Sequence, residues 1–155
     1  MLLSELLTKD LIKVGLEAKS KREALGELVD LLVQRHEIAM SHRAEVLEAL
    51  REHDDAHVSG MEGGIAVPHA VTDRAEDLIC ALGISKAGID FHALDGKASQ
   101  VVILLLAPKR DFQGEVRTLA GIHHLFENPA LKDKILSAGT PDAVYEALQD
   151  AEQHL

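Results

Sequence analysis

The chain has 155 residues, the size of one domain spanning 1–155 with little room for a second. Acids outnumber bases 26 to 16, for a formal charge of −10 with histidine neutral. That sign opposes phosphate backbones and anionic lipid, so neither a nucleic-acid partner nor a membrane-surface role is expected. Cys80 is the only cysteine, which excludes an internal disulfide and a multi-thiolate metal site. The aromatic residues are Phe91, Phe112, Phe126 and Tyr145, too few for a base-stacking platform. The longest apolar run, Val101–Ala107, falls far short of the ~20 residues of a membrane helix, so no membrane insertion is expected. Glu5 and Asp10 stand where a signal peptide would carry basic charge, which predicts a cytoplasmic protein. Against this plain background the chain carries nine histidines.

In chain order, residues 11–18 read as a short strand. Ser20 and Glu23 form a capping-box pair, and Leu25, Leu28, Val29 and Leu32 follow at helical spacing, predicting a helix over about 21–35. Ser41 is the expected N-cap of a second helix that buries Val46, Leu47 and Leu50 and runs out in the polar stretch 51–57. Glycines 60, 63 and 64 mark a tight loop. Ile65–Val67 is a short strand cut off by Pro68, with His69 next in line. Residues 79–85 alternate as a strand, Asp95-Gly96 makes a turn, and 101–106 are apolar at every position, as in a central strand covered on both faces. A helix follows over 115–127, with Leu119, Ile122 and Phe126 on one stripe. Asn128-Pro129 breaks it, a further helix starts near Leu131, and Thr140-Pro141 opens the last one. Short strands among amphipathic helices predict an α/β fold: a three-layer domain with a mixed central sheet flanked by helices.

The most informative segment is 60–69, Gly-Met-Glu-Gly-Gly-Ile-Ala-Val-Pro-His. Its glycines let backbone N–H groups approach an anion, and Pro68 stiffens the chain just before an imidazole. Read bottom-up, this is either a phosphate-handling loop with a placed histidine or an ordinary polar turn followed by a surface one. The stretch Gly63–Ala70 resembles the phosphorylation-site signature of the fructose/mannitol-type enzyme IIA domains of the bacterial phosphotransferase system. That pattern runs approximately Arg-Glu, a short spacer, then Ser-Thr-Gly-Ile-Gly-x-Gly-Ile-Ala-(Ile/Val)-Pro-His. Here it is met by Arg51-Glu52, Ser59-Gly60, Gly63-Gly64-Ile65-Ala66-Val67-Pro68 and His69. Gly88–Phe91, Leu94–Lys97 and Val101–Pro108 resemble the family's second half, so the similarity covers nearly the whole chain.

The resemblance implies that His69 is the phospho-accepting nucleophile, modified at Nε2 with its other ring nitrogen donating to a backbone carbonyl. A neutral imidazole suits the task, since one ring nitrogen keeps a free lone pair near pH 7. Arg51 and Ser59 match the family's phosphate-stabilising arginine and hydroxyl, whose alternatives here are a solvated helix-end charge and a loop cap. The spacer after Arg51 is about two residues longer than the family pattern. The family's second histidine, seven residues past the proline that follows the central strand, falls on Glu115. That carboxylate is expected to point inward and to repel a dianionic phosphoryl group; its alternative is a favourable acid in a helix's first turn.

His53 and His57 flank the loop at i, i+4 and are placed to sit near His69; with Asp54 or Asp55 they are a weak metal candidate lacking a third fixed ligand, and no metal is expected. His92, His123 and His124 are further candidates, although His123 continues an apolar stripe with Val116, Leu119 and Ala120 and reads as core. Cys80 reads as a buried small hydrophobe. No Walker A lysine, G-x-G-x-x-G fingerprint or G-x-S-x-G elbow is present, so nucleotide use and serine hydrolysis are not expected.

Two functions are compatible with these residues. One is a phosphocarrier that accepts a phosphoryl group on His69 from a histidine-containing phosphocarrier protein and passes it to a IIB domain or a regulatory target, without metal or organic cofactor. The other is a regulatory binding module on the same fold, in its extreme form without phosphotransfer. The resemblance, in a chain of one domain, favours the nitrogen-regulatory, stand-alone form of enzyme IIA.

Overall fold

The structure, a computed structural model, describes residues 2–56 and 60–155. A short helix α1 (Leu3–Leu6) leads through a 3-10 turn into β1 (Ile12–Val14), and helices α2 (Lys21–Gln34) and α3 (Arg43–Ala56) follow. Then come β2 (Ile65–Ala66), β3 (His69–Val71), β4 (Ile79–Ile89), β5 (Ser99–Ala107), and helices α4 (Phe112–Leu125), α5 (Pro129–Ser137) and α6 (Pro141–Gln153).

The expected mixed sheet is present, with the order β1-β4-β5-β2 and β3 also on β5. β4 and β5 are antiparallel, with Leu82 opposite Ile103, whereas β1 runs parallel to β4 and both β2 and β3 run parallel to β5. Val101–Ala107 are fully buried, so helices must cover both faces of that strand. α2 and α3 pack on each other and on β4 and β3, while α4 and α5 pack on β5, α6 packs on β1, and α1 bridges α4 and α6.

Local chemistry sets most boundaries. The Ser20 hydroxyl accepts from Glu23 N–H at 3.2 Å, and Thr140 caps α6 in the same way through Ala143. The first strand stops at Val14 rather than residue 18, because Gly15 turns into the left-handed region at φ +89°. Residues 40–42 form a 3-10 turn that runs into α3, so Ser41 is not the N-cap that its residue type suggests. α3 reaches Ala56, within the polar stretch where it is expected to run out, and Lys21 forms an ion pair with the buried Asp54 on that last turn. α4 starts three residues early, at Phe112, because Asp111 accepts from Gly114 N–H at 3.0 Å and caps it.

The strand before Pro68 stops there as expected, ending at Ala66, but the extended chain resumes at His69. β2 and β3 lie end to end along β5, Ile65 opposite Val101 and His69 opposite Leu105, and the Pro68 carbonyl still accepts from Leu105 N–H at 3.0 Å. A residue without an N–H is tolerated at such a break on an outer strand. His69 therefore opens a strand instead of closing one, and its backbone is fixed by a ladder on the most deeply buried strand.

Candidate phosphoryl-transfer site

His69 is half-buried at the first position of β3. Its Nδ1 lies 2.7 Å from the carbonyl oxygen of Val67. A carbonyl only accepts, so Nδ1 carries the proton, and in the neutral ring the lone pair sits on Nε2. The histidine backbone, the proline before it and the carbonyl two residues back thus select one tautomer.

The glycine loop is tied down beside this ring. Gly63 and Gly64 have φ of +82° and +83°, Met61 N–H donates to the Ile65 carbonyl at 2.8 Å, and the Gly64 carbonyl accepts from Gln100 N–H at 2.8 Å. Asp95 receives N–H bonds from Gly63 at 2.9 Å and Lys97 at 3.0 Å, which hold its carboxyl below the ordinary value. Read from sequence only as a turn residue, Asp95 anchors the loop from the β4–β5 connection. A cleft opens over the loop and His69, lined by Met61, Leu94, Leu119, His123 and Phe126.

Three side chains converge on His69 or its surroundings. His53, half-buried near the end of α3, brings its Nε2 to 3.0 Å from His69 Nε2, with the rings tilted by 59°. Glu115, on the first turn of α4, is only 4% exposed and lies within electrostatic reach of His69. Burial pushes its carboxyl above the ordinary value, the positive form of His69 pulls the other way, and its Oε2 has no hydrogen-bond partner among the described residues. The inward orientation expected for Glu115 is what the structure has. His123 reaches the cleft as well, and here the sequence expectation needs correcting. It is exposed, not core, because α4 buries Gly114, Glu115, Thr118, Ile122 and Leu125 and turns Val116 and Ala120 outward.

Arg51 is not brought to His69. It lines the groove between α2 and α3 with Lys13, Glu27 and Arg43, and its Nε is buried without a partner among the described residues. On a helix, positions two apart point about 200° away from each other, so a site-facing His53 turns Arg51 to the far side. The two-residue excess in the spacer is the same offset: counting the shorter family spacer back from the loop lands on His53. Ser59 and His57 lie outside the described residues, as does the side chain of Asp55. Among the described residues no three metal-ligating side chains converge. His92 and His124 are exposed, and His124 lies 3.5 Å from Glu127. Cys80 is fully buried.

The sequence profile of the phosphoenolpyruvate-dependent sugar phosphotransferase system EIIA 2 family matches residues 5–151. The chain belongs to that family. This EIIA domain is 28% identical over 148 residues to the fructose-specific EIIABC component of Bacillus subtilis, covering 96% of the chain but 23% of that longer protein. It is 26% identical to a nitrogen regulatory protein of Bradyrhizobium diazoefficiens, over 96% of the chain and 95% of the relative. Its fold matches the crystal structure of nitrogen regulatory protein IIA-Ntr from Neisseria meningitidis with a TM-score of 0.85, at 21% identity over 94% and 98% of the two chains. The EIIA domain therefore has relatives of both regulatory and sugar-transport description, and no helix among its described residues is long and apolar enough to cross a membrane.

Proposed function

We propose that this EIIA domain is a cytoplasmic phosphocarrier in which His69 Nε2 accepts a phosphoryl group from a histidine-containing phosphocarrier protein, in a regulatory role of the nitrogen type. The carrying observation is the 2.7 Å contact from His69 Nδ1 to the Val67 carbonyl, which leaves Nε2 as the nucleophilic nitrogen. The apolar cleft around it suits docking of a protein donor, with Leu94 at its mouth 89% exposed. Positioning and electrostatics carry such a transfer, so no metal or organic cofactor is required. Ser59 is the hydroxyl that the family motif assigns to the phosphoryl oxygens; Arg51, turned into the other groove, supports no such role in this geometry. Once on His69, the phosphoryl group adds about two negative charges at the cleft, enough to change which partner surface docks there. Transfer onward to a IIB domain is the sugar-transport form of the same reading.

The buried Glu115 favours a second reading, a binding module that no longer takes phosphate, because an ionised carboxylate there opposes an incoming anion. Incubation with phosphoenolpyruvate, enzyme I and the histidine phosphocarrier protein, followed by intact mass and acid-lability measurements, separates the two. An acid-labile phosphate on wild type that is absent from His69→Ala supports the carrier. A wild type that stays unmodified while Glu115→His becomes modified supports the binding module.

A further inference from the structure

We propose that His53 is the hydrogen-bond donor of the site: its Nε2–H holds the Nε2 lone pair of His69 before transfer and turns to a phosphoryl oxygen after it. The Val67 carbonyl fixes the proton of neutral His69 on Nδ1, so its Nε2 is an acceptor. His53 Nε2 stands 3.0 Å from that acceptor, and two lone pairs do not approach so closely without a proton between them. The proton therefore belongs to His53 Nε2. A donor in this place does two things. It keeps the nucleophilic nitrogen aimed and desolvated in the resting protein. It is then left, without moving α3, beside the oxygens of whatever group bonds to that nitrogen.

In the transfer itself, the P–N bond of the donor phosphohistidine breaks and its electron pair returns to the donor ring. The His69 Nε2 lone pair forms the new P–N bond, and no proton changes hands. His53 keeps its proton and exchanges a nitrogen acceptor for an oxygen one, which stabilises the charge spread over the equatorial oxygens. The arginine that the family pattern supplies is turned away here, so an imidazole on the same helix, two residues on, takes the donor position.

This inference rests on the phosphocarrier reading, and two measurements on the full chain keep them apart. The first is 15N NMR of the histidine rings in the unphosphorylated protein, with His53→Ala and His69→Ala for assignment. The expected spectrum has Nε2 protonated on His53 and Nδ1 protonated on His69. An unprotonated His53 Nε2 overturns the proposal whether or not the protein ever carries phosphate. The second is the rate of phosphorylation by the phosphocarrier protein. His53→Ala, which has no donor, is expected to slow by about 10²-fold, the usual effect of removing one transition-state donor. His53→Gln, whose amide can donate, should stay within about tenfold of wild type on the same reasoning. A His53→Ala variant as fast as wild type overturns the hand-over alone. A wild type that takes no phosphate overturns the carrier reading and the hand-over with it.

Discussion

Lys21, at the first position of α2, forms an ion pair with Asp54 on the last turn of α3, one residue beyond His53. Asp54 is nearly buried, its side chain 6% exposed, while Lys21 keeps 28% exposure. Removing one member leaves the other partly desolvated, so Asp54→Ala is expected to destabilise the fold by about 1–3 kcal/mol, lowering Tm by roughly 2–4 °C per kcal/mol. Because the pair holds the turn that carries His53, the variant should also lose protection of the amides of α3 in hydrogen exchange. Unchanged exchange at residues 50–54 would show that the pair does not hold this turn.

Glu115 gives the fold a pH dependence of definite sign. Burial raises its carboxyl in the folded state, so the native protein binds this proton more tightly than the unfolded chain. Its penalty is absent below the ordinary carboxylate range near 4.5, grows as pH rises through the raised folded value, and is complete above it. Glu115→Gln, compared with wild type by urea titration, should therefore be more stable by about 1 kcal/mol at pH 8. That advantage should vanish by pH 4. An advantage of equal size at both pH values would assign it to packing and not to ionisation.

The sequence carries the architecture because the signals that set it are local. The apolar run of β5, the Ser20 and Thr140 caps, and the Gly15 break all act within a few residues. The site is legible only in part, for a different reason. His69 is named by its proline and glycines, but its partners come from α3, α4 and the β4–β5 turn, and only the fold decides which faces of those elements meet it. Arg51 and His53 are both sensible candidates on paper, and the roughly 100° advance per residue of a helix separates them. His123 misleads in the same way: its stripe with Val116 and Ala120 has the right period, but α4 is rotated to bury Thr118 and Leu125 instead.

His36 stands at φ +62° in the position after the α2 C-cap. Its N–H donates to Val33 at 3.1 Å and Glu37 N–H donates to Leu32 at 2.9 Å, the paired bonds of a Schellman ending. A residue with a Cβ is strained in that conformation and glycine is not, so His36→Gly should stabilise the protein by about 0.5–1 kcal/mol. Thermal unfolding reads this directly. A lower Tm in the variant would mean that the His36 ring contributes more than its backbone costs.

Three apolar side chains are exposed on the elements that border the site: Leu94 is 89% exposed, Phe112 61% and Val116 48%. Leu94 lines the cleft directly, and Phe112 and Val116 lie on α4, the helix that carries Glu115 and Leu119. An apolar side chain this exposed on the lining of a reactive cleft suits a docking face. Leu94→Asp leaves the core untouched, so its stability should stay within about 0.5 kcal/mol of wild type, as for most surface substitutions. Phosphorylation by the phosphocarrier protein should nevertheless fall by roughly tenfold at subsaturating donor, the loss that about 1.4 kcal/mol of docking energy produces. On the proposed function, the effect should sit in the apparent affinity for the donor and disappear at saturation, since Leu94 then touches the docked donor and not the reacting atoms. A loss that persists at saturating donor would move Leu94 from the docking face into the transfer step, and no loss at all would place the docking face elsewhere.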